Sequence, residues 1–490
     1  MGINGEILAE EKAYDYVIKG ALVFDGESLV PKRQDLAISG DLQGVTTEVI
    51  GNCGMSAAPV EGPHTGEIAA VWRREGVEIP SELPWKSFKE YVNESEFQGL
   101  ETNFAGLVGH GNLRSSVMGM APRAATSQEI ESMRALLGEA LDQGAFGISF
   151  GLVYLPGIFA SREELVRLCT ETAKHDGLCV FHIRGEGKGL VEAVREAVEI
   201  GKAAKARIHI SHLKAAGQNN WPKIDEAFQV IESARAEGLS VTADAYPYTA
   251  SFAELGVVLP DELYQDPNRL NRLKDPVEKK KILEKLEAHY RQSPVSWDKI
   301  RVATVAGKRN FTLQGKSLAE IAALFRKSPV EMLIDLLTME EFKVSAFFHS
   351  QSEAVVEKVF SKPYVAVGSD SIADGSVMPH PRAYGAFPKR LASCSKAGPV
   401  GQSPCWGRTI HQMTGLPAKM MGLRERGRLG TGLFADLVLF DPALIRDGAD
   451  YKNPKVPPEG IEWVFVNGKP VVQKGRYQPV HSGLFLTPQR

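Results

Sequence analysis

The sequence has no long apolar run and little net charge. No stretch of its 490 residues reaches the roughly 20 apolar residues of a membrane-spanning helix. Residues 1–6 lack both a basic region and a long apolar core, so we expect no secretory signal peptide. A formal net charge of −3 gives no electrostatic basis for binding nucleic acid or a membrane surface. The hydrophobic content of 43% and charged content of 24% are those of a soluble globular enzyme.

Cysteine is scarce, with five residues, an odd number without the spacing of a disulfide framework. This pattern argues against a disulfide scaffold and predicts a reducing compartment, so we expect a cytoplasmic protein. We interpret Cys169, Cys179, Cys394 and Cys405 as buried small hydrophobes or exposed side chains.

Phosphate-binding motifs are also missing. No Gly-x-Gly-x-x-Gly follows a predicted strand and no P-loop occurs, which argues against a nucleotide or flavin enzyme.

Two short apolar segments that each end in a histidine stand out in the middle of the chain. Residues 180–186 read VFHIRGE, and residues 208–214 read IHISHLK. A helical segment, residues 189–205, lies between them, so we predict a βαβ unit with parallel strands. Such strands place His182 and His212 side by side at their carboxyl ends, where α/β enzymes carry their chemistry. Two imidazoles at one edge indicate a metal site, although each histidine alone would fit an ordinary buried residue.

Cys53 is a third candidate metal ligand in the same kind of position. It follows residues 49–52, VIGN, so it too lies at the carboxyl end of a predicted strand. One thiolate and two imidazoles, with a fourth position for water, form the pattern of a catalytic zinc ion rather than a closed structural one. A thiolate beside imidazoles favours zinc over magnesium or calcium. The alternative interpretation of Cys53 is a buried small hydrophobe.

Asp370 ends the last predicted parallel strand and is a candidate general acid and base. A carboxylate facing a metal-activated water can take its proton during attack on a carbonyl and return it to the leaving nitrogen. These parts predict metal-assisted hydrolysis, with an amide as the expected substrate. The alternative is an aspartate in a turn or a helix cap. Cationic and phenolic side chains that we place near the same edge are Tyr154, Lys214, Tyr246, Arg382 and Tyr384.

The middle of the chain alternates strands and helices, while both ends are rich in strands. The seven predicted barrel-type strands lie at residues 46–52, 103–109, 146–151, 180–182, 208–212, 240–245 and 364–368. A closed (β/α)8 barrel needs an eighth. Residues 251–350 interrupt the pattern with a charged, helix-rich insertion that we expect to cap the barrel mouth.

Short strands at the two ends predict one small β-sandwich built from both termini. They lie at residues 14–20, 21–26, 35–39, 435–440, 463–468 and 470–475. We therefore predict sandwich segments at residues 14–42 and 426–480, on either side of a barrel at residues 43–425.

With these motifs the chain resembles the N-acyl-D-amino-acid deacylases, or D-aminoacylases, of the amidohydrolase superfamily. The resemblance is specific because the motifs run in family order over nearly the whole chain. The matching segments are residues 44–47, 51–54, 108–111, 151–154, 182–184, 210–217, 244–248, 368–371, 380–385 and 432–442.

The resemblance implies a (β/α)8 TIM-like, metal-dependent hydrolase barrel and a small-molecule substrate, an N-acyl-D-amino acid. Hydrolysis of its amide bond would give a carboxylate and a free D-amino acid. Cys53, His182 and His212 would hold one tightly bound zinc ion, and Asp370 would be the catalytic acid and base. The side chains that would grip the substrate carboxylate and neighbouring polar groups are Tyr154, Lys214, Tyr246 and Arg382. No sequence feature specifies an oligomeric state.

One departure from the family concerns the first barrel strand. The family begins its barrel with a strand ending in His-x-His, which binds a second, weaker metal position. No such motif occurs near this N-terminus, where residues 35–39 pass almost directly to residues 40–45. His209 and His212 do not replace it, because they lie three residues apart and a strand would point them to opposite faces. We therefore expect a barrel without its first strand and a mononuclear zinc deacylase of reduced activity.

Two alternatives stay open. The missing strand would fit a non-catalytic or impaired remnant. A cyclic-amide hydrolase of the dihydroorotase or hydantoinase type would use the same barrel. Those enzymes usually carry a bridging lysine where Cys53 stands here.

Overall fold

Strands and helices alternate along the middle of the chain. The computed structural model describes residues 16–23, 32–38, 44–62, 64, 66–67, 83–293, 295–372, 378–400 and 402–489. The strands are β1 (Tyr16–Val23), β2 (Lys32–Ile38), β3 (Thr47–Ile50), β4 (Asn103–Gly106), β5 (Val108–Gly109), β6 (Gly147–Gly151), β7 (Leu178–His182), β8 (Arg207–Ile210), β9 (Val241–Ala245), β10 (Ala250–Glu254), β11 (Ile300–Val305), β12 (Val344–His349), β13 (Val365–Val367), β14 (Leu437–Phe440), β15 (Ile461–Val466), β16 (Lys469–Gln473) and β17 (Arg476–Tyr477).

Fifteen helices lie in the part of the chain that the structure describes. They are α1 (Phe88–Gln98), α2 (His110–Met118), α3 (Ser127–Asp142), α4 (Arg162–Lys174), α5 (Leu190–Ala204), α6 (Lys223–Ala236), α7 (Asp261–Tyr264), α8 (Arg269–Lys274), α9 (Pro276–Gln292), α10 (Leu318–Phe325), α11 (Pro329–Met339), α12 (Glu353–Phe360), α13 (Arg382–Ser395), α14 (Pro404–Met413) and α15 (Gly415–Met421). Helices α1, α3, α10 and α11 each begin with a serine or threonine capping box that satisfies free amides of the first turn. None of the described helices is both long and apolar enough to cross a membrane.

The central sheet is parallel, and its strand order follows the chain. Strand β3 pairs with β4, and β5 pairs with β6. Strands β4 and β5 form one line interrupted at Leu107, whose amide still donates to Ile50 O at 2.9 Å. From β6 the sheet continues through β7, β8 and β9 to β13, all in parallel. The structure thus confirms an α/β fold with parallel strands at the seven predicted positions.

The outer strands of this sheet, β3 and β13, each have one partner. Among the described residues no strand pairs with their other edges. Residues 39–43, where we located the missing first barrel strand, lie outside the described residues. The absence of that strand therefore stays a prediction.

The segment between β9 and β13 forms a separate antiparallel sheet, in the order β10-β12-β11. Helices α7 to α11 lie in the same segment. Its buried side chains form a hydrophobic cluster of their own, which includes Leu255, Leu286, Leu333 and Phe342. The segment is rich in helices, as we predicted, and its three strands were not predicted. That it is an insertion capping the barrel mouth stays a prediction.

Both ends of the chain form antiparallel sheets. Strand β1 pairs with β2, and β14 to β17 form a four-stranded sheet. The prediction of two strands at residues 14–20 and 21–26 is wrong, because one strand, Tyr16–Val23, runs through both with a register shift between Ile18 and Ala21. The glycine at position 20 permits this irregularity rather than a turn. That the two ends form one sandwich stays a prediction.

A disulfide bond joins Cys394 in α13 to Cys405 in α14, with Cα atoms 5.4 Å apart. The interpretation of these two residues as isolated small hydrophobes or exposed thiols is therefore wrong. Their spacing of 11 residues resembled no framework, but contact between the two helices brings them together. Cys169 and Cys179 are free and buried, as predicted.

The C-terminal tail, residues 483–486, hydrogen-bonds to the first residues of β4. The Phe104 amide donates to Leu484 O at 2.9 Å, and the Leu486 amide donates to Phe104 O at 2.7 Å. Phe485, only 6% exposed, packs edge-on against the rings of Phe88, Tyr91 and Phe104. The tail is therefore part of the core.

Phe485→Ala should lower the free energy of unfolding by about 3–5 kcal/mol, because it leaves a cavity among three aromatic rings. Urea-induced unfolding measures the change. Leu484→Ala is the matched control: that neighbouring side chain is 43% exposed, so a change of about 0.5 kcal/mol or less is expected. A loss below about 1 kcal/mol for Phe485→Ala would show that the tail is not part of the core.

Candidate functional site

Cys53, His182 and His212 converge at the carboxyl end of the parallel sheet. His182 is the last residue of β7, while Cys53 and His212 follow the ends of β3 and β8. One donor atom from each lies within 4.8 Å of the others, and Cys53 Sγ is 3.4 Å from His212 Nε2. The two imidazole rings lie edge to face with centroids 4.5 Å apart. The structure thus brings together the three predicted metal ligands, two of them buried.

Small residues allow the turn that carries Cys53 to approach β6. A Cβ atom on Gly151 would lie 2.1 Å from Cys53 O, and one on Gly54 would lie 2.6 Å from the Gly151 amide. The Ser149 hydroxyl donates to Gly51 O at 2.5 Å and accepts from the Gly54 amide at 3.1 Å. Close backbone contact, which only glycine permits at these two positions, therefore fixes Cys53.

Asp244 holds the backbone of His212. Its Oδ1 accepts from the His212 amide at 2.8 Å, and its Oδ2 is 2.8 Å from His209 Nε2. Burial raises the pKa of Asp244, but the hydrogen bond and charge of His209 and the charge of His212 more than offset it, so that the pKa lies below its usual value. His209 is thus a partner of this carboxylate, not a member of the donor cluster.

Three of the candidate site residues have left-handed backbone conformations. The φ angles are +55° at Cys53, +38° at His212 and +48° at Asp370. Such conformations cost about 1–3 kcal/mol at residues other than glycine and concentrate at functional sites. Contacts around these three residues must therefore offset the free-energy cost of their backbone conformations.

The donor cluster fits a zinc-like cation, both by the elements of its donor atoms and by one buried ring nitrogen that lacks a hydrogen bond. His182 Nδ1 is buried and has no hydrogen-bond partner among the described residues. A buried ring nitrogen without a partner costs free energy unless a ligand satisfies it. Burial lowers the pKa of His182 well below its usual value, so its imidazole is neutral, the form that binds a metal. One sulfur and two nitrogen donors are a set that zinc prefers.

Asp370 and Arg382 form an ion pair beside this cluster. Arg382 Nη1 lies 2.8 Å from Asp370 Oδ2, and its side chain is 3% exposed. The guanidinium also stacks over the Tyr246 ring, 4.6 Å from the centroid. The buried Tyr246 hydroxyl has no hydrogen-bond partner in the part of the chain that the structure describes. Three of the predicted residues therefore meet in one cluster.

Lys214 lies close to the site, and two side chains of the protein contact its ammonium group. Its Nζ lies 2.5 Å from Glu186 Oε1 and 2.8 Å from His212 Nδ1, and 5.6 Å from the Tyr246 centroid. Burial lowers the pKa of Lys214, but the charge of Glu186 more than offsets it and raises the pKa above its usual value. The ammonium group is thus held by a carboxylate of the protein.

Tyr154 follows β6, and its ring lies 4.8 Å from the His182 ring, edge to face. It therefore borders the donor cluster. Tyr384, in the first turn of α13, is 39% exposed.

Glu164 anchors the helix that follows β5, and sequence reasoning missed it. Its carboxylate lies 2.7 Å from His110 Nε2 and accepts both bonds from Arg114 Nη1, at 2.7 and 2.6 Å, with all three side chains buried. The Gly111 amide in the same helix donates to Gly54 O at 2.8 Å, next to Cys53. The signal was the spacing of His110 and Arg114, which puts both on one helix face.

The chain is similar to known amidohydrolases over most of its length. The sequence model of the Amidohydrolase family matches residues 278–472. The D-aminoacylase of Alcaligenes xylosoxydans xylosoxydans is 33% identical over 444 residues, which cover 91% of this chain and 81% of that protein.

Solved structures show the same similarity. An N-acyl-D-glutamate deacylase from Bordetella bronchiseptica, complexed with zinc and a phosphonate mimic of the tetrahedral intermediate, superimposes with a TM-score of 0.78 at 27% identity, over 97% of this chain and 99% of that one. A D-aminoacylase superimposes with a TM-score of 0.76 at 28% identity, over 97% of this chain and 100% of that one. Its structure concerns the binuclear metal centre of that enzyme, with activation by one metal and attenuation by the second.

Glu164→Gln should lower the free energy of unfolding by about 3–5 kcal/mol near neutral pH, because it leaves Arg114 buried and unpaired. Burial raises the pKa of Glu164, but His110 and Arg114 more than offset it and lower the pKa from 4.5 to about 2. The stabilisation is therefore fully present above about pH 4.5 and is lost as the pH falls toward 2. Urea unfolding at several pH values should show a steeper loss with falling pH for wild type than for the variant.

The control for this experiment is Glu163→Gln, whose carboxylate is 63% exposed on the same helix. It should change the free energy of unfolding by about 0.5 kcal/mol or less. Equal slopes for wild type and Glu164→Gln in acid would contradict the proposed role of the buried carboxylate.

Proposed function

This chain belongs to the D-aminoacylase family of amidohydrolases, and on that basis we propose that it hydrolyses the amide bond of N-acyl-D-amino acids. The products are a carboxylate and a free D-amino acid. The observation that carries the proposal is the convergence of Cys53, His182 and His212 within 4.8 Å. Asp370 is close enough for its charge to act on the pKa values of both Cys53 and His212.

We assign one tightly bound zinc ion to the three donors. The fit rests on the sulfur and nitrogen donor set and on the buried Nδ1 atom of His182, which has no partner among the described residues. Zinc in a relative from Bordetella bronchiseptica supports this identity. When bound, the ion would polarise the amide carbonyl and lower the pKa of an attacking water.

Asp370 is the candidate acid and base of the reaction. Its Oδ2 is fixed by Arg382 at 2.8 Å, so Oδ1 is the atom that we expect to move the proton. The carboxylate takes a proton from the attacking water and then delivers it to the leaving nitrogen. Without that delivery the amine would leave as an unstable anion, so one residue serves both halves of the reaction.

The substrate carboxylate would bind on the other side of Arg382. The guanidinium offers further donors in a planar fork, and the Tyr246 hydroxyl beside it is buried and has no partner in the described part of the chain. Tyr154 borders the same space from β6. Lys214 contributes positive charge to this region, although Glu186 offsets much of it.

We further propose that the parallel strands form a (β/α)8 barrel that lacks its first strand, flanked by a sandwich from both ends of the chain. The lack of described partners on the outer edges of β3 and β13 supports this arrangement. A single metal would then be sufficient. One-metal activation of a D-aminoacylase supports such a mononuclear site.

Zinc-loaded protein should hydrolyse N-acetyl derivatives of at least one D-amino acid and leave the L-enantiomers intact. Asp370→Asn should lower kcat by about 10²- to 10⁴-fold, because proton transfer is lost, while the zinc content stays unchanged. Amine release measures turnover, and elemental analysis measures zinc. Asp176→Asn, at a side chain that is 91% exposed, is the control and should keep full activity.

A folded, zinc-loaded wild type that cleaves no member of a panel with neutral and acidic D-side chains would contradict the proposal and favour a non-catalytic remnant. Cleavage of cyclic amides alone would favour the hydantoinase-type alternative.

A further inference from the structure

Glu186 lies near one ring nitrogen of each of the two histidines that are candidate metal ligands. Its Oε1 lies 3.0 Å from His212 Nδ1 and 3.8 Å from His182 Nε2. The remaining nitrogens, His212 Nε2 and His182 Nδ1, are then the ones available to a metal. The first lies 3.4 Å from Cys53 Sγ, and the second is buried with no partner among the described residues.

We propose that Glu186 is a positioning residue that keeps His212 in the tautomer that a metal requires and supplies a counter-charge beside His182. The inference rests on the proposed metal site. A neutral imidazole binds a metal through one nitrogen and carries its proton on the other, where a carboxylate can accept it. The carboxylate 3.0 Å from His212 Nδ1 therefore fixes the proton position and the rotation of that ring. His182 Nε2, at 3.8 Å, lies within ion-pair distance but beyond hydrogen-bond distance.

Lys214 makes this role necessary. Its Nζ lies 2.8 Å from His212 Nδ1, so it can donate to that atom. If it did, His212 would carry its own proton on Nε2, and that nitrogen would be blocked for metal binding. Glu186 opposes this outcome because it accepts from Lys214 at 2.5 Å and offers His212 Nδ1 an acceptor at 3.0 Å.

Charge leads to the same conclusion. Lys214 is only 4% exposed, and its ammonium would lie beside a bound divalent cation. Like charges in a buried site repel strongly unless a counter-charge lies between them. Glu186 is placed to supply that charge, between the ammonium and the two histidines.

Glu186→Gln should weaken zinc binding by about 10- to 100-fold. The Kd for zinc alone is measured by competition with a chelator. The thiolate-to-metal charge-transfer band of the cobalt-substituted protein should also shift, because the His212 ring loses its orientation. Glu196→Gln is the matched control: Glu196 pairs with Arg184 in the same segment, and its removal should leave the zinc Kd unchanged.

A second substitution separates positioning from loss of structure. Lys214→Met in the Glu186→Gln background removes the competing donor and should restore part of the zinc affinity. An unchanged Kd for Glu186→Gln would overturn the proposal, and so would a weakened Kd that Lys214→Met does not improve. If Glu186→Gln does not fold, Glu186→Asp replaces it; a several-fold weaker Kd is expected, and an unchanged one would overturn the proposal.

The readout needs no substrate, so it is independent of deacylase activity. Wild-type protein that binds no zinc would refute the proposed metal site itself. Wild-type protein that binds zinc but hydrolyses nothing would leave the role of Glu186 open to the same comparison of Kd values, which would still decide it.

Discussion

Parallel strand register is the constraint on which the candidate site depends. Strand β6 aligns Gly151 with His182 of β7, and β8 continues the same register, so residues beyond the strand ends meet at one edge. Three donors that are far apart in sequence thereby come within 4.8 Å. The left-handed backbone at Cys53 and His212 then turns each side chain toward the others. The strain of these turns is offset by contacts such as Asp244 to the His212 amide, so the rigid sheet supports the reactive loops.

The buried lysine and arginine near the site each pair with a carboxylate. Lys214 pairs with Glu186, and Arg382 pairs with Asp370. Burial of an unpaired charge would cost several kcal/mol, so these pairs are held together strongly once formed. They also fix which atoms stay available. Glu186 orients His212, and Arg382 orients Asp370, the candidate acid and base.

The sequence predicted those features that depend on local pattern. Apolar segments that end in His182 and His212 were sufficient to locate the strands and the donors, because strand periodicity and parallel pairing are regular. It could not predict the part played by Glu186, since that depends on side-chain distances across a loop. Non-glycine residues give no sign of left-handed backbone, so the conformation of Cys53 was equally hidden. The pair Cys394–Cys405 depends on the packing of two helices, which a spacing of 11 residues does not encode.

The central claim is that Cys53, His182 and His212 form a metal site that does not need the first barrel strand. Zinc content per folded chain, compared between wild type and Cys53→Ala, tests it most directly. The account predicts about one zinc per wild-type chain and almost none in the variant, with both proteins folded. Well-folded wild-type protein that binds no zinc, or a Cys53→Ala variant that binds it as tightly as wild type, would contradict the account.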